Sequence, residues 1–245
     1  MNMVQRDAIR PCLVRDVRID IDGVSLAGRL TIPENARSIV LFVHGSGSSR
    51  HSPRNQFVAE ILQAKGMATL LFDLLTAGEE DLDQRTASLR FDIDLLTRRL
   101  IGATAWTNRN PLTQGLRIGY FGASTGAAAA LAAAARIQSV AAVVSRGGRP
   151  DLAGDALGHV LAPALFIVGG RDETVLELNR RALAQLHSRQ KRLVVIPGAT
   201  HLFEEPGTLA EVAKTAAEWF VRHLTGEGAE SREPLPNREQ LHSGR

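Results

Sequence analysis

The chain has 245 residues, of which 44% are hydrophobic and 22% charged, and this is enough apolar material for one sizeable core. Its formal net charge is only +3, and the arginines that dominate its basic residues are spread along the chain rather than clustered as nucleic-acid binding would need. No apolar stretch reaches the roughly 18 residues of a membrane span, and the N-terminus lacks the apolar region of a signal peptide. We therefore expect a cytoplasmic protein with neither nucleic acid nor a membrane as a partner. The single cysteine, Cys12, excludes a disulfide within the chain and a zinc site built on several cysteines.

The first two predicted strands form a hairpin. Residues 17–21 and 25–32 alternate branched apolar with polar side chains on either side of Asp22-Gly23, a dipeptide typical of a tight turn. Downstream, six continuous apolar runs are typical of strands that are buried on both faces. These runs lie at 38–44, 67–72, 116–121, 140–144, 164–168 and 193–196. The pattern predicts a mostly parallel sheet that opens with an antiparallel hairpin.

Helix-compatible stretches separate the apolar runs. They lie at 54–65, 85–102, 124–136, 176–189 and 209–224. Because parallel strands need crossovers of this length, the alternation predicts a doubly wound α/β fold with helices on both faces of the sheet. We expect one domain over residues 15–224, with 1–14 and 225–245 as terminal extensions. The second extension is poor in apolar residues and is expected to be flexible.

The strongest local signal for chemistry is Gly122-Ala123-Ser124-Thr125-Gly126. It directly follows a predicted strand and precedes an alanine-rich helix. A serine at such a tight turn takes a strained backbone conformation that exposes its hydroxyl, and its flanking residues must be small because strand and helix crowd them. Ser124 is therefore a candidate nucleophile. The alternative is an ordinary turn in which the serine caps the helix.

A serine nucleophile needs a base, and the base needs an acid that orients it. Asp172 follows the predicted strand 164–168, and His201 follows the strand 193–196. Each residue taken alone could be a helix-capping aspartate or a loop histidine without a role. The order Ser124, Asp172, His201, each at the carboxyl end of its own strand, favours a catalytic triad.

The oxyanion of the tetrahedral intermediate must meet backbone N–H groups that already point at it. The Thr125 amide is one candidate donor because it follows the nucleophile at a helix N-terminus. The second is the Ser46 amide in the glycine-serine loop that follows the strand 38–44. That loop could instead be a turn of no chemical consequence. A phosphate cradle does not fit, because Arg50 stands where the dinucleotide fingerprint needs a glycine and the Walker lysine is missing.

Further polar residues near the strand ends have open roles. His44 is expected to fix its loop through its ring nitrogens, and Asp73 either fixes a loop or faces the substrate. Loops at strand ends should line the substrate pocket. The candidate lining residues are Leu74, Leu75, Arg146, Arg149, Leu202 and Phe203. Arg146 or Arg149 attracts acidic substrates in one interpretation and is ordinary solvated charge in the other.

Together these motifs resemble the α/β-hydrolase superfamily and, within it, the dienelactone-hydrolase-like branch. The resemblance spans residues 15–224. It rests on His44-Gly45-Ser46-Gly47, Gly122-x-Ser124-x-Gly126, Gly170-x-Asp172 and the His201 loop. Dienelactone hydrolases proper use a cysteine nucleophile, whereas this chain has Ser124 at that position. They also carry a substrate-binding arginine shortly after the catalytic histidine, whereas this chain has Glu204-Glu205 there.

The resemblance implies a serine hydrolase that cleaves small carboxylic esters through an acyl-enzyme, in the manner of a carboxylesterase. We expect a small-molecule ester substrate and neither a metal nor a cofactor. An acyltransferase or perhydrolase built on the same triad is an alternative, and so is a non-catalytic binding module with a hydrolase fold. The oligomeric state is open between a monomer and a homodimer.

Overall fold

A computed structural model describes residues 12–225 of the chain. The predicted extension 225–245, apart from its first residue, lies outside the described residues, as does most of 1–14. Eight strands are formed: β1 Cys12–Ile21, β2 Val24–Pro33, β3 Ser38–Val43, β4 Ala68–Phe72, β5 Arg117–Ala123, β6 Ala142–Arg146, β7 Ala164–Gly169 and β8 Lys191–Ile196. The helices are α1 Pro53–Ala64, α2 Ala77–Thr86, α3 Ile93–Arg109, α4 Thr125–Arg136, α5 Glu173–Gln185 and α6 Thr208–Leu224, with a 3₁₀ segment at Pro150–His159.

The strands form one sheet in the order β1-β2-β4-β3-β5-β6-β7-β8. Strand β2 pairs antiparallel with both β1 and β4, and the remaining neighbours are parallel. The predicted mostly parallel sheet with an opening hairpin is therefore confirmed. Strand β1 starts at Cys12 rather than at residue 17, because β2 continues to Pro33 and offers a partner to each added residue. Residues 12–14 thus belong to the sheet and not to an extension.

Helices cover both faces of the sheet. One core layer holds side chains of α3, α4 and α5, and the other holds side chains of α1 and α6. Every residue of β3, β4, β6 and β7 is buried, which explains their continuous apolar runs. Because β3, β5, β6, β7 and β8 run parallel, the loops at their carboxyl ends lie side by side along one edge.

Two helices occupy the region where the sequence predicted one. Helix α2 begins in a capping box, in which the Thr76 hydroxyl accepts from the Glu79 amide and the Glu79 carboxylate accepts from the Thr76 amide. It ends at Ala87, whose backbone is left-handed. Helix α3 then starts afresh after Asp92, whose side chain caps it. The helix predicted over 85–102 is therefore wrong at its start, and the 3₁₀ segment was not predicted. Within residues 12–225, every helix is too short or too polar to cross a membrane.

Candidate active site

Ser124 occupies a strained turn between β5 and α4. Its φ of 50° and ψ of −123° lie in a region that non-glycine residues rarely adopt. Backbone hydrogen bonds hold it there: its N–H donates to the Arg146 carbonyl at 3.2 Å, and its carbonyl accepts from Ala127 and Arg149, both at 3.1 Å. The hydroxyl makes no capping bond to α4. The helix-capping alternative for this serine is therefore excluded, and the hydroxyl is left available.

The two glycines that flank Ser124 are required by close backbone packing. A Cβ at Gly122 would lie 2.5 Å from the Cα of Ala127 in the following helix. A Cβ at Gly126 would overlap the carbonyl oxygens of Val43 and His44. Strand β5, helix α4 and the end of β3 thus lie so close together that no side chain fits at Gly122 or Gly126. This crowding fixes the turn and directs Ser124 out of the sheet edge.

The loop after β3 passes directly beside the serine. A Cβ at Gly45 would lie 3.0 Å from the Cβ of Ser124 and 3.7 Å from its Oγ. The next residue, Ser46, donates its N–H to the Thr125 Oγ1 at 2.9 Å, and Thr125 is buried, with 2% of its surface exposed. Both predicted oxyanion donors, the amides of Ser46 and Thr125, therefore lie at the serine turn.

His44 fixes this loop, as the sequence predicted. Its Nδ1 donates to the Gly45 carbonyl at 3.0 Å, and its Nε2 accepts from the Leu74 N–H at 3.1 Å. Burial lowers the pKa of His44 below its usual value, more than the hydrogen bond to Gly45 and the nearby carboxylates raise it. The ring is neutral, which matches a nitrogen that accepts from a backbone amide.

Asp172 and His201 are in direct contact. The His201 Nδ1 lies 2.6 Å from the Asp172 Oδ2, and their side chains are 38% and 15% exposed. Asp172 stands at the N-cap position of α5, but its side chain makes no capping bond there. The carboxylate is directed to the imidazole instead, so the capping alternative is excluded for this residue as well.

Backbone contacts join the loops that carry Asp172 and His201. The Arg171 N–H donates to the Ala199 carbonyl at 2.9 Å, and a Cβ at Gly169 would collide with that same loop. The Glu205 carboxylate accepts from the Thr200 N–H at 3.1 Å. Hydrogen bonding to Thr200 lowers the pKa of Glu205, so this bond is made by the charged carboxylate. Glu205 thereby holds the residue that precedes His201.

One short loop after β6 contacts both the serine and the histidine. A Cβ at Gly147 would lie 3.6 Å from the His201 Cε1, and the Arg149 N–H donates to the Ser124 carbonyl. Among residues 12–225, no hydrogen bond joins the Ser124 hydroxyl to His201. Asp172 and His201 are therefore paired, while the Ser124 hydroxyl and the imidazole are not bonded to each other.

The sequence as a whole matches a known family. The family model for the dienelactone hydrolase family covers residues 26–225. The chain belongs to the dienelactone hydrolase family. This match includes all three candidate triad residues and the loop after β3.

Individual proteins resemble this hydrolase family member in sequence or in fold. Two Mycobacterium tuberculosis proteins, from strains CDC 1551 / Oshkosh and ATCC 25618 / H37Rv, are provisionally named phosphoribosyl transferases and are 59% identical over 219 residues. The match covers 89% of this chain but 48% of theirs, so the chain spans about half the length of these curated relatives. A crystal structure of a dienelactone hydrolase from Anabaena variabilis is 59% identical, with a TM-score of 0.85 over 87% of this chain and 99% of that one. Est1E from Butyrivibrio proteoclasticus is 18% identical, with a TM-score of 0.71 over 86% of this chain and 99% of its own, and shares the fold.

The predicted substrate-lining residues of this dienelactone hydrolase family member differ in exposure. Leu202, next to His201, is 41% exposed. Arg149 is half-exposed, and its guanidinium donates two hydrogen bonds to Asp151. The other four are largely buried: Leu74, Leu75, Arg146 and Phe203. A role of any of the six in substrate binding remains a prediction.

Arg146 is buried, and no carboxylate among residues 12–225 pairs with it. Its Nη2 donates to the Asn55 Oδ1 at 3.4 Å, and its Nη1 has no hydrogen-bond partner in the same range. Burial, together with the nearby positive charge of Arg54, lowers the pKa of Arg146 to about 10. The interpretation of this arginine as ordinary solvated charge is therefore wrong.

A polar cleft of about 510 Å³ adjoins the loop after β3. It is lined by residues of the opening hairpin, the loops after β3 and β4 and helix α2, including Arg18, Ser48, Asp73, Leu75 and Gln84. Asp73 accepts from the Arg50 backbone N–H at 2.8 Å and also forms an ion pair with the Arg50 guanidinium. Asp73 therefore fixes the loop and also faces the cleft, so both of its expected roles fit its position.

Several residues that support the site gave no recognisable signal in the sequence. Asn179 of α5 is fully buried and donates to the Gly148 carbonyl at 2.9 Å. The buried Asp83 accepts from the amides of Leu89 and Arg90 and from the Arg90 guanidinium. Burial acts to raise the pKa of Asp83, but these hydrogen bonds outweigh it and hold the pKa below the usual value. Within residues 12–225, no three side chains of the types that ligate metals come together.

Proposed function

We propose that this chain hydrolyses small carboxylic esters through an acyl-enzyme formed on Ser124. The observation that carries the proposal is the 2.6 Å contact between the His201 Nδ1 and the Asp172 Oδ2, at the same sheet edge as a serine held at positive φ with an unbonded hydroxyl. A carboxylate that accepts from Nδ1–H leaves Nε2 without a proton. That nitrogen can then act as a general base.

The first half of the reaction forms the acyl-enzyme. The Ser124 Oγ attacks the ester carbonyl carbon while the His201 Nε2 takes the hydroxyl proton, and the carbonyl electron pair moves onto the oxygen. The amides of Ser46 and Thr125 stabilise this oxyanion. When the electron pair returns, the bond to the alcohol breaks, and the His201 imidazolium gives its proton to the leaving oxygen. Asp172 stabilises the imidazolium throughout.

Water completes the cycle. It attacks the acyl carbon as His201 takes one of its protons, and collapse of the second intermediate returns that proton to the Ser124 Oγ and releases the acid. The required bond between Ser124 and His201 forms when substrate is bound, since catalytic hydrogen bonds are often long in free enzymes. One loop supports this step because its Gly147 lies close to His201 and its Arg149 N–H donates to the Ser124 carbonyl.

The name phosphoribosyl transferase belongs to proteins about twice as long as this chain. We do not carry that activity over to this chain, because the hydrolase family model accounts for residues 26–225.

The test combines turnover with labelling of the nucleophile. The purified protein should hydrolyse p-nitrophenyl acetate and should be labelled by a fluorophosphonate at Ser124, as read by peptide mass spectrometry. Ser124→Ala should abolish labelling and lower kcat by up to about a millionfold, as expected when a triad nucleophile is removed. Ser139→Ala, at an exposed serine in the turn before β6, is the matched control and should behave as the parent.

Each contrary result points to a different alternative. Turnover retained in Ser124→Ala would exclude this nucleophile. A parent protein that neither turns over nor reacts with the probe would favour the non-catalytic binding module. An acyl group captured by added alcohol or peroxide in preference to water would favour the acyltransferase or perhydrolase alternative.

A further inference from the structure

The side chain of Thr125 lies between the two backbone donors of the candidate oxyanion hole. Its Oγ1 accepts from the Ser46 N–H at 2.9 Å, and it belongs to the residue whose own amide is the other donor. We infer that the Thr125 hydroxyl is a third donor to the oxyanion and therefore a catalytic residue. This inference rests on the proposed ester hydrolysis at Ser124.

The spacing of the donors supports this role. An oxyanion that accepts from both amides must sit about 3 Å from each nitrogen. The Thr125 Oγ1 is already 2.9 Å from one of these nitrogens, and it is two bonds beyond the Cα that carries the other. Because the Ser46 nitrogen carries one hydrogen and that hydrogen points to Oγ1, an oxyanion that accepts from it approaches from the same side as the hydroxyl.

The hydroxyl also has a proton to give. It accepts one hydrogen bond from Ser46, and among residues 12–225 its own proton has no acceptor. Thr125 is 2% exposed, so water has little access to that proton. In such a dry site an uncommitted donor contributes more than it would in water.

Substrate binding redirects two hydrogen bonds at this position. In the free protein the Ser46 N–H points to the Thr125 Oγ1 and donates to it. When the oxyanion forms, the Ser46 N–H turns toward it, and the hydroxyl rotates to donate to the same oxygen.

Two substitutions at this position separate the hydroxyl from the shape of the side chain. Thr125→Val keeps the branched shape and removes the hydroxyl, and Thr125→Ser keeps the hydroxyl. Thr125→Val should lower kcat for p-nitrophenyl acetate by about 100-fold with little change in KM, since an oxyanion donor acts on the transition state. Thr125→Ser should retain most of the parent kcat.

Inhibition by a small trifluoromethyl ketone provides a readout that a merely structural residue would not change. Its adduct with the nucleophile is a hemiketal whose oxyanion occupies the hole. Its Ki should rise in Thr125→Val by the same factor as kcat falls, and should stay near the parent value in Thr125→Ser. Thr107→Val is the matched control, because Thr107 is a buried threonine of α3 whose hydroxyl bonds only to its own helix.

The outcomes distinguish this inference from the proposed function. If Thr125→Val keeps or raises kcat while Ser124 is still labelled, the hydroxyl only competes for the Ser46 N–H, and the inference alone fails. If Thr125→Ser is as slow as Thr125→Val, the hydroxyl is not the active group. If the parent protein shows neither turnover nor labelling of Ser124, the proposed function and this inference fail together.

Discussion

Replacing the buried Arg146 by methionine should stabilise the protein. The guanidinium is 8% exposed, has no carboxylate partner and lies near the like charge of Arg54. Its pKa is lowered from 12.5 to about 10, and one pKa unit corresponds to about 1.4 kcal/mol, so burial disfavours the charged form by about 3 kcal/mol. Losing the hydrogen bond to Asn55 offsets about 1 kcal/mol of this. The net gain for Arg146→Met is then about 2 kcal/mol.

The gain is measured as the free energy of unfolding in urea, with the Tm as a second readout. For a domain of this size about 2 kcal/mol corresponds to a rise in Tm of roughly 4 to 8 °C. Arg149→Met is the matched control, since that guanidinium is half-exposed and paired with Asp151, and it should not stabilise the fold. A destabilised Arg146→Met protein would refute the reasoning, because it would mean that the buried charge is compensated.

Three further outcomes follow from the site. Gly126→Ala should abolish fluorophosphonate labelling and cost about 1 to 3 kcal/mol of stability, because the added Cβ overlaps backbone atoms. Gly78→Ala is the control and should be tolerated, since a Cβ there meets no atom within 4 Å. Equal labelling of the two variants would contradict this prediction. Asp172→Asn should lower kcat by about 10⁴-fold because the amide favours the wrong tautomer of His201, and a near-normal kcat would argue against this acid. Burial lowers the pKa of His44 in the folded state. The His44 imidazole therefore binds a proton more readily in the unfolded chain, and the free energy of unfolding should fall as the pH drops below about 6.5. This loss should be smaller in His44→Gln, as measured by urea titrations at pH 7.5 and 5, and an unchanged pH dependence would exclude His44 as its source.

The strands and the three triad candidates could be predicted because each leaves a local trace. A strand buried on both faces needs a continuous apolar run, and all eight predicted strands are formed. The loops of a parallel sheet share one edge, so the residues that follow β5, β7 and β8 were expected to lie close together. Asp172 and His201 meet there. The crowding around Gly122 and Gly126 could also be predicted, because glycines flank the serine in the sequence.

Contacts between distant segments left no such trace. Helix α2 is short and polar, and its only buried residue is Asp83, which binds the chain after the helix and not the sheet. Hydrophobic periodicity therefore could not separate α2 from α3. The bond from Asn179 to Gly148 and that from Ser46 to the Thr125 hydroxyl join segments that are far apart in the sequence. Both bonds form only in the folded chain, and in neither case does the amino-acid type of one partner indicate the other partner.

The loops after β7 and β8, which carry Asp172 and His201, are tied together by a backbone hydrogen bond. The Arg171 N–H donates to the Ala199 carbonyl, and Gly169 leaves no room for a side chain against that loop. The polar cleft is lined instead by the opening hairpin, the loops after β3 and β4 and helix α2, and none of its lining residues belongs to the loops after β7 and β8. Substitutions in the hairpin and α2 should therefore change what the cleft accepts while Asp172 and His201 keep their alignment. Directed evolution confined to these two segments is the natural route to variants with an altered cleft.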